Sequence, residues 1–160
     1  MIAVNLDGFR PVNDLHGRGV ADELLASVGQ LLNMRAGVDG FVARLEGDEF
    51  IVVLQNRTEE ELMDWLSSLL TAIEAPFVLT SQEITIGASI GVAMAPTDGD
   101  DAETLLHRAD LALRKAKEKK LNLVAGFCWR YSTSRIEAFK RLHDGDIGNI
   151  TSIFATYYTA

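Results

Sequence analysis

The stretch that decides the fold is Arg44-Leu45-Glu46-Gly47-Asp48-Glu49-Phe50. Two short apolar runs, Phe41 to Leu45 and Phe50 to Leu54, flank Glu46-Gly47-Asp48-Glu49, and this pattern predicts a β-hairpin. Adjacent carboxylates at a tight turn beside a glycine suit a metal-nucleotide site. Carboxylate oxygens bind Mg²⁺, and a residue without a side chain lets a phosphate approach the backbone. The same residues also make an ordinary solvated turn, so the hairpin alone leaves both readings open.

Working outward, Ile2-Ala3-Val4-Asn5-Leu6 reads as a buried strand. Asp7 to Gly19, rich in Gly, Asn and Asp and with Pro11, reads as a loop that has room for one helical turn. Apolar positions Leu24, Leu25, Val28, Leu31 and Leu32 predict a helix from about Ala21 to Met34. Thr58 with Glu61 forms a capping-box pattern that opens a helix to about Ile73. Glu83 to Ala88 and Ile90 to Ala93 are strand-like, with Ser89 between them. Asp101 to Lys117 is a helix with Leu105, Leu106, Ala109, Ala112 and Leu113 on one face. This order implies an α+β sandwich with a mainly antiparallel sheet.

Asn13 and Asp22 offer an amide and a carboxylate suited to a guanine edge. Helix capping and loop hydrogen bonding explain them equally well. His16, His107 and His143 lack metal spacing, so a zinc site is not expected. Trp65, among Leu62, Leu66 and Leu69, is expected in the core. Lys115, Lys117, Lys119 and Lys120 suit a solvated helix end favoured by the helix dipole.

Composition narrows the function. The 160 residues are 48% hydrophobic and 24% charged, which suits one packed domain or a domain plus a fragment. A net charge of -8 argues against a general nucleic-acid polymer binder, which needs clustered cations. Cys128 is the only cysteine, consistent with a cytoplasmic setting. No apolar run is long enough for a membrane span, and Met1 to Asn5 is too short for a signal peptide.

In order, the chain carries Asn5-Leu6-Asp7-Gly8-Phe9-Arg10, then Asn13-Asp14 through Asp22, and the Glu46–Phe50 turn. Ala88-Ser89-Ile90-Gly91-Val92-Ala93 and Ala109-Asp110-Leu111-Ala112-Leu113-Arg114-Lys115-Ala116-Lys117 follow. Residues 1 to about 120 thereby resemble a GGDEF domain, the nucleotidyl-cyclase-like domain of bacterial cyclic di-GMP signalling. The resemblance implies a palm-type sandwich that acts as a diguanylate cyclase. Each domain of a homodimer would hold one GTP, with Mg²⁺ (or Mn²⁺) as cofactor. It implies Asp48 and Glu49 as catalytic, with Asp48, Leu6 and Asn5 at the metal. Asn13, Asp22, Gly47, Lys117, Phe9 and Arg10 would line the substrate. Sensory or EAL domains are expected in the natural parent.

The departures are specific. The family's strand Asp, a metal ligand, is Asn5. The first signature glycine is Glu46. The Gly-His histidine is Arg18, and Arg10 replaces a Lys. The phosphate-binding Arg falls at Leu121. Gly37 and Gly40 occupy the product-inhibition positions, with Arg35 and Asp39 out of register. The leading Leu-Thr-Gly-Leu segment is absent. Turnover is therefore expected to be weak or lost. The alternative function is a degenerate domain that binds GTP or a protein partner.

The composition shifts after Asn122. The last 38 residues hold 7 of the 12 aromatics and carry a charge of +1, against -9 for the first 122. Asn122 to Tyr131 and Phe139 to Ile150 resemble a piece of the Gfo/Idh/MocA oxidoreductases, without that family's Gly-x-Gly-x-x-Gly or Glu-Lys-Pro. Residues 121–160 are expected to be a strand-helix-strand fragment or extension, joined near Lys115 to Lys120, without dehydrogenase activity.

Overall fold

A computed structural model describes residues 1–119 and the backbone of the strand at 123–125. Strand β1, Ile2–Asp7, is followed by helices α1, Phe9–His16, and α2, Arg18–Ala36. The hairpin comprises β2, Gly40–Arg44, and β3, Glu49–Leu54. Helix α3, Glu59–Glu74, leads to the short strands β4, Phe77–Val78, and β5, Glu83–Ile84. Strand β6, Gly87–Val92, helix α4, Ala102–Glu118, and β7, Leu123–Ala125, complete the order.

The main sheet runs β2-β3-β1-β6-β7, with β4 and β5 in a separate ribbon. Its pairings are antiparallel except β6 with β7, which is parallel. The α+β sandwich with a mainly antiparallel sheet and a central first strand is therefore the observed architecture. The alternation of a strand puts Ile2, Val4 and Leu6 into the larger core with Leu24, Val28, Leu66 and Leu69 of α2 and α3. Ala3 and Ile51 face the other way, against Ala109 and Leu113 of α4. Each fully buried Leu of these helices contributes about 1.5–3 kcal/mol relative to exposure.

Local signals placed several elements. Thr58 Oγ1 accepts from Glu61 N at 3.2 Å while Glu61 Oε2 accepts from Thr58 N at 2.9 Å, so the capping box is formed. Asp101 caps α4 by accepting from Thr104 N at 2.9 Å. Trp65 is half-buried against the larger core, and its indole N–H donates to Arg35 O at 2.8 Å.

Three expectations change. Phe9 to His16 is a helix rather than a loop; Gly8, at φ 78°, starts it in the left-handed region, where only glycine is free of strain. Ser89 does not interrupt a strand but lies inside β6, whereas Glu83–Ile84 pairs instead with Phe77–Val78. Leu123–Ala125, expected to open the tail, pairs with Ile90–Val92 as an edge of the first domain's sheet. The expected helix and last strand of the tail lie outside the described residues.

Candidate active site

The hairpin turn sits at the C-terminal end of β1. Gly47, at φ 55°, turns the chain, and no heavy atom lies within 4 Å of where a Cβ would be, so its backbone is open to approach. Glu49 N donates to Glu46 O at 2.9 Å and Leu45 N to Glu49 O at 2.9 Å. Arg44 Nε donates to Gly47 O at 2.8 Å, which pins the guanidinium across the turn. Leu6 N donates to Asp48 O at 3.2 Å and ties the turn to β1.

Pairing register brings the polar side chains together. Asn5 is opposed to Glu49 on β3 and to Ser89 on β6. Asn5 and Ser89 are the buried polar residues of the described chain. Asn5 Nδ2 donates to Glu49 Oε1 at 3.4 Å. Ser89 Oγ lies 2.9 Å and 3.1 Å from the two carboxylate oxygens of the exposed Asp7. Ser89 and Asp7 thus join the polar cluster around Asn5, and sequence reasoning did not single them out. Their signals were present in the Ser-x-Gly strand and in the second acid of the opening motif.

The donor set can be tested against a divalent cation. Because Leu6 N–H points to Asp48, the Leu6 carbonyl faces the same side, and no backbone bond from Asp48 N–H is made to it. A carbonyl oxygen, the half-exposed Asp48 carboxylate and the Asn5 amide therefore share one end of the sheet. All are oxygen donors of the kind Mg²⁺ takes, so the set fits in kind. It is poor in charge: among the described residues, no three His, Cys, Asp or Glu side chains group to hold a metal ion.

Comparison with known proteins decides the lineage. The family model "Diguanylate cyclase, GGDEF domain" matches residues 1–123. The chain belongs to the GGDEF family. It is 32% identical over 142 residues to the bifunctional diguanylate cyclase/cyclic di-GMP phosphodiesterase MucR of Pseudomonas aeruginosa, covering 89% of this chain and 20% of that protein. It is 33% identical over 118 residues to the cyclic di-GMP phosphodiesterase PdeR of Escherichia coli, covering 74% of this chain and 18% of that protein. The crystal structure of a sensory box/GGDEF family protein from Caulobacter crescentus superposes with a TM-score of 0.68 at 37% identity, covering 74% of this chain and 77% of that one. The chain spans about a fifth of the length of the two curated relatives.

Within this GGDEF domain the remaining predicted residues lie on helices outside the turn. Phe9 and Arg10 follow directly from β1. Phe9 is half-buried against the larger core, and Arg10 is exposed, its Nε 3.9 Å from Asp14 Oδ2. An ion pair this exposed adds little stability, so Arg10 is free to meet other charges. Asn13 lies on α1 and Asp22 on α2, on either side of Gly17. Neither caps a helix: Gly8 and Gly17 hold the N-cap positions. Lys117 is exposed in the last turn of α4, one turn beyond Leu113, which packs on Gly91. Asn5, Leu6, Asp48 and Glu49 thus converge on one turn, and no hydrogen bond joins Lys117, Asn13 or Asp22 to them. No helix among the described residues is long and apolar enough to cross a membrane.

Proposed function

We propose that this domain holds GTP at the hairpin end of the sheet and turns it into cyclic di-GMP weakly or not at all. The observation that carries this reading is the buried Asn5 amide donating to Glu49. A neutral side chain stands where two-metal-type phosphoryl chemistry favours an anionic ligand, and it occupies an oxygen of one of the two turn carboxylates. A bound divalent cation would supply charge to the α-phosphate and lower the pKa of the attacking 3′-hydroxyl. On the protein side, Asp48 would hold that cation with the Leu6 carbonyl. Gly47 would admit the phosphates, with Lys117, Arg10 and the α1 N-terminus at Phe9 beside them. Asn13 and Asp22 would read guanine. A homodimer, Mg²⁺ or Mn²⁺ and a cytoplasmic setting belong to this reading.

The relatives support both halves of it, since one carries a cyclase name and another only a phosphodiesterase name. A regulatory domain, joined in its natural parent to sensory or EAL domains, suits a chain that matches about a fifth of those proteins. Incubating the purified chain with GTP and Mg²⁺, with chromatography for cyclic di-GMP and calorimetry for GTP, tests it. GTP binding with little product is expected. Rapid turnover would remove the weak-catalysis reading, and no binding at all would leave only the partner-docking alternative.

A further inference from the structure

At the C-terminal end of β1 a carboxylate and a helix start are neighbours in sequence, and a third residue keeps them apart. Asp7 is the last residue of β1, Gly8 is the N-cap of α1, and Phe9 and Arg10 begin the helix. The first N–H groups of a helix have no partner within it, and a Ser, Thr, Asp or Asn side chain normally accepts from one of them. No side chain caps α1. Pro11 has no N–H, and Val12 N already donates to Gly8 O at 3.4 Å. The donors left over in the first turn are those of Phe9 and Arg10.

Asp7 stands where such a cap could come from. Gly8, at φ 78° and ψ 16°, has the dihedrals of the third residue of a type II turn. An Asp just before a residue turned this way can accept from the N–H two positions on, here that of Phe9. The carboxylate is engaged elsewhere. Ser89 Oγ donates to Asp7 Oδ1 at 2.9 Å and lies 3.1 Å from Oδ2, so one hydroxyl meets both oxygens. Ser89 is 4% exposed and comes from β6. Register explains the reach: Ser89 is opposed to Asn5, and Asn5 and Asp7 project from the same face of β1. No Lys or Arg among the described residues pairs with Asp7, so a freed carboxylate would bring its whole charge to the helix start.

We propose that Ser89 is a positioning residue: its hydroxyl holds the Asp7 carboxylate on the sheet and so leaves the Phe9 and Arg10 N–H groups open to an anionic phosphate. This rests on the reading that the phosphates of GTP lie beside the α1 N-terminus. With the hydroxyl in place, the helix start offers free donors and the positive end of its dipole. Without it, the Asp7 carboxylate takes the Phe9 N–H for itself and repels the incoming phosphate. Ser89 touches neither nucleotide nor metal in this scheme and acts through Asp7.

Ser89→Ala, Asp7→Ala and the double variant of the full chain test this, with thermal melts to establish that each is folded. In ligand-free Ser89→Ala, amide hydrogen exchange at Phe9 should slow by about tenfold as the freed carboxylate caps it. Calorimetry should show GTP binding weakened by about tenfold, the scale of one charge at a partly buried helix end. High salt should shrink that loss. The double variant should regain both the fast exchange and the affinity, a rescue that a merely structural role for Ser89 does not give. Ser89→Cys, a weaker donor of nearly the same size, should act in the same direction as Ser89→Ala. Unchanged Phe9 exchange in Ser89→Ala and Ser89→Cys, or a loss of affinity that persists in the double variant, would overturn the proposal. An unmodified chain that binds no GTP would remove the nucleotide reading instead, and the ligand-free exchange would still decide whether Ser89 diverts Asp7.

Discussion

Asn5 and Glu49 face each other across β1 and β3, and the amide Nδ2 donates to the carboxylate at 3.4 Å. That pairing has a consequence for both stability and metal binding. An amide tolerates a carboxylate beside it without a cation; a second carboxylate does not.

Asn5→Asp is therefore expected to have opposite effects in two conditions. Without metal, the new carboxylate beside Glu49 should lower the melting temperature, because like charges at this separation repel in a buried site. With Mg²⁺, it should raise GTP affinity or turnover by roughly tenfold or more, equivalent to about 1.4 kcal/mol. Asp48→Ala should abolish Mg²⁺-dependent binding. Calorimetry and thermal melts with and without Mg²⁺ check this. An Asn5→Asp protein indifferent to Mg²⁺ would place residue 5 outside the metal shell.

Base recognition is separable from the metal. Asn13→Ala and Asp22→Ala should each reduce the preference for GTP over ATP by about 1–3 kcal/mol, the range for leaving a buried polar partner unpaired. Neither residue is used by the fold as a cap, so the melting temperature should hardly move. Equal affinity for ATP in the unmodified chain would exclude the guanine assignment.

Gly91 is a point of close approach between the sheet and α4. A Cβ there would lie 2.1 Å from Ala109 O and 2.3 Å from Leu113 N, both backbone atoms. Gly91→Ala must push α4 off β6 and should cost at least about 1–3 kcal/mol, the usual range for overpacking. A fall of several degrees in melting temperature, with weaker phosphate binding through displaced Lys117, is the expected result. An unchanged melt would show that α4 moves freely.

Acid should loosen the domain through three carboxylates. Thr80 hydroxyl and backbone donors hold Glu23 below its ordinary 4.5, the Thr58 backbone does the same for Glu61, and the Thr104 hydroxyl holds Asp101 below 3.8. A lowered folded-state value gives stability that is complete above the ordinary value and is lost as pH falls through the folded one. Melting temperature should be level down to about pH 4.5 and then fall. Thr80→Val should remove the hydroxyl part of the share due to Glu23 and leave the backbone part. All three groups are exposed, so each step is small.

Truncation separates the two parts of the chain at a definite point. The pairing of Leu123–Ala125 with Ile90–Val92 means that removing residues 123–160 deletes an edge strand and should lower the melting temperature. Removing residues 128–160 should leave both the cooperative transition and GTP affinity intact. Loss of the transition in the shorter deletion would make the tail part of one core.

Much of this domain is decided by neighbours in sequence. The capping box at Thr58 and Glu61, the helical stripes of α2 and α4, and the Gly47 turn all rest on interactions spanning a few residues, so residue order alone determines them. The ordered motifs likewise carried the family. What only the tertiary structure decided are relationships between distant segments: Asn5 with Glu49, Ser89 with Asp7, and Leu123–Ala125 with β6. Strands of two or three residues, such as β4, β5 and β7, have no periodicity to read. Their hydrogen bonds lie with partners supplied by the folded chain. In α1 only Phe9 and Val12 pack against the core and neither is fully buried, so its stripe is short, and two glycines set the helix's ends. Register across β3, β1 and β6 is fixed by burying alternate residues on both faces at once, and that condition exists only when all three strands are assembled.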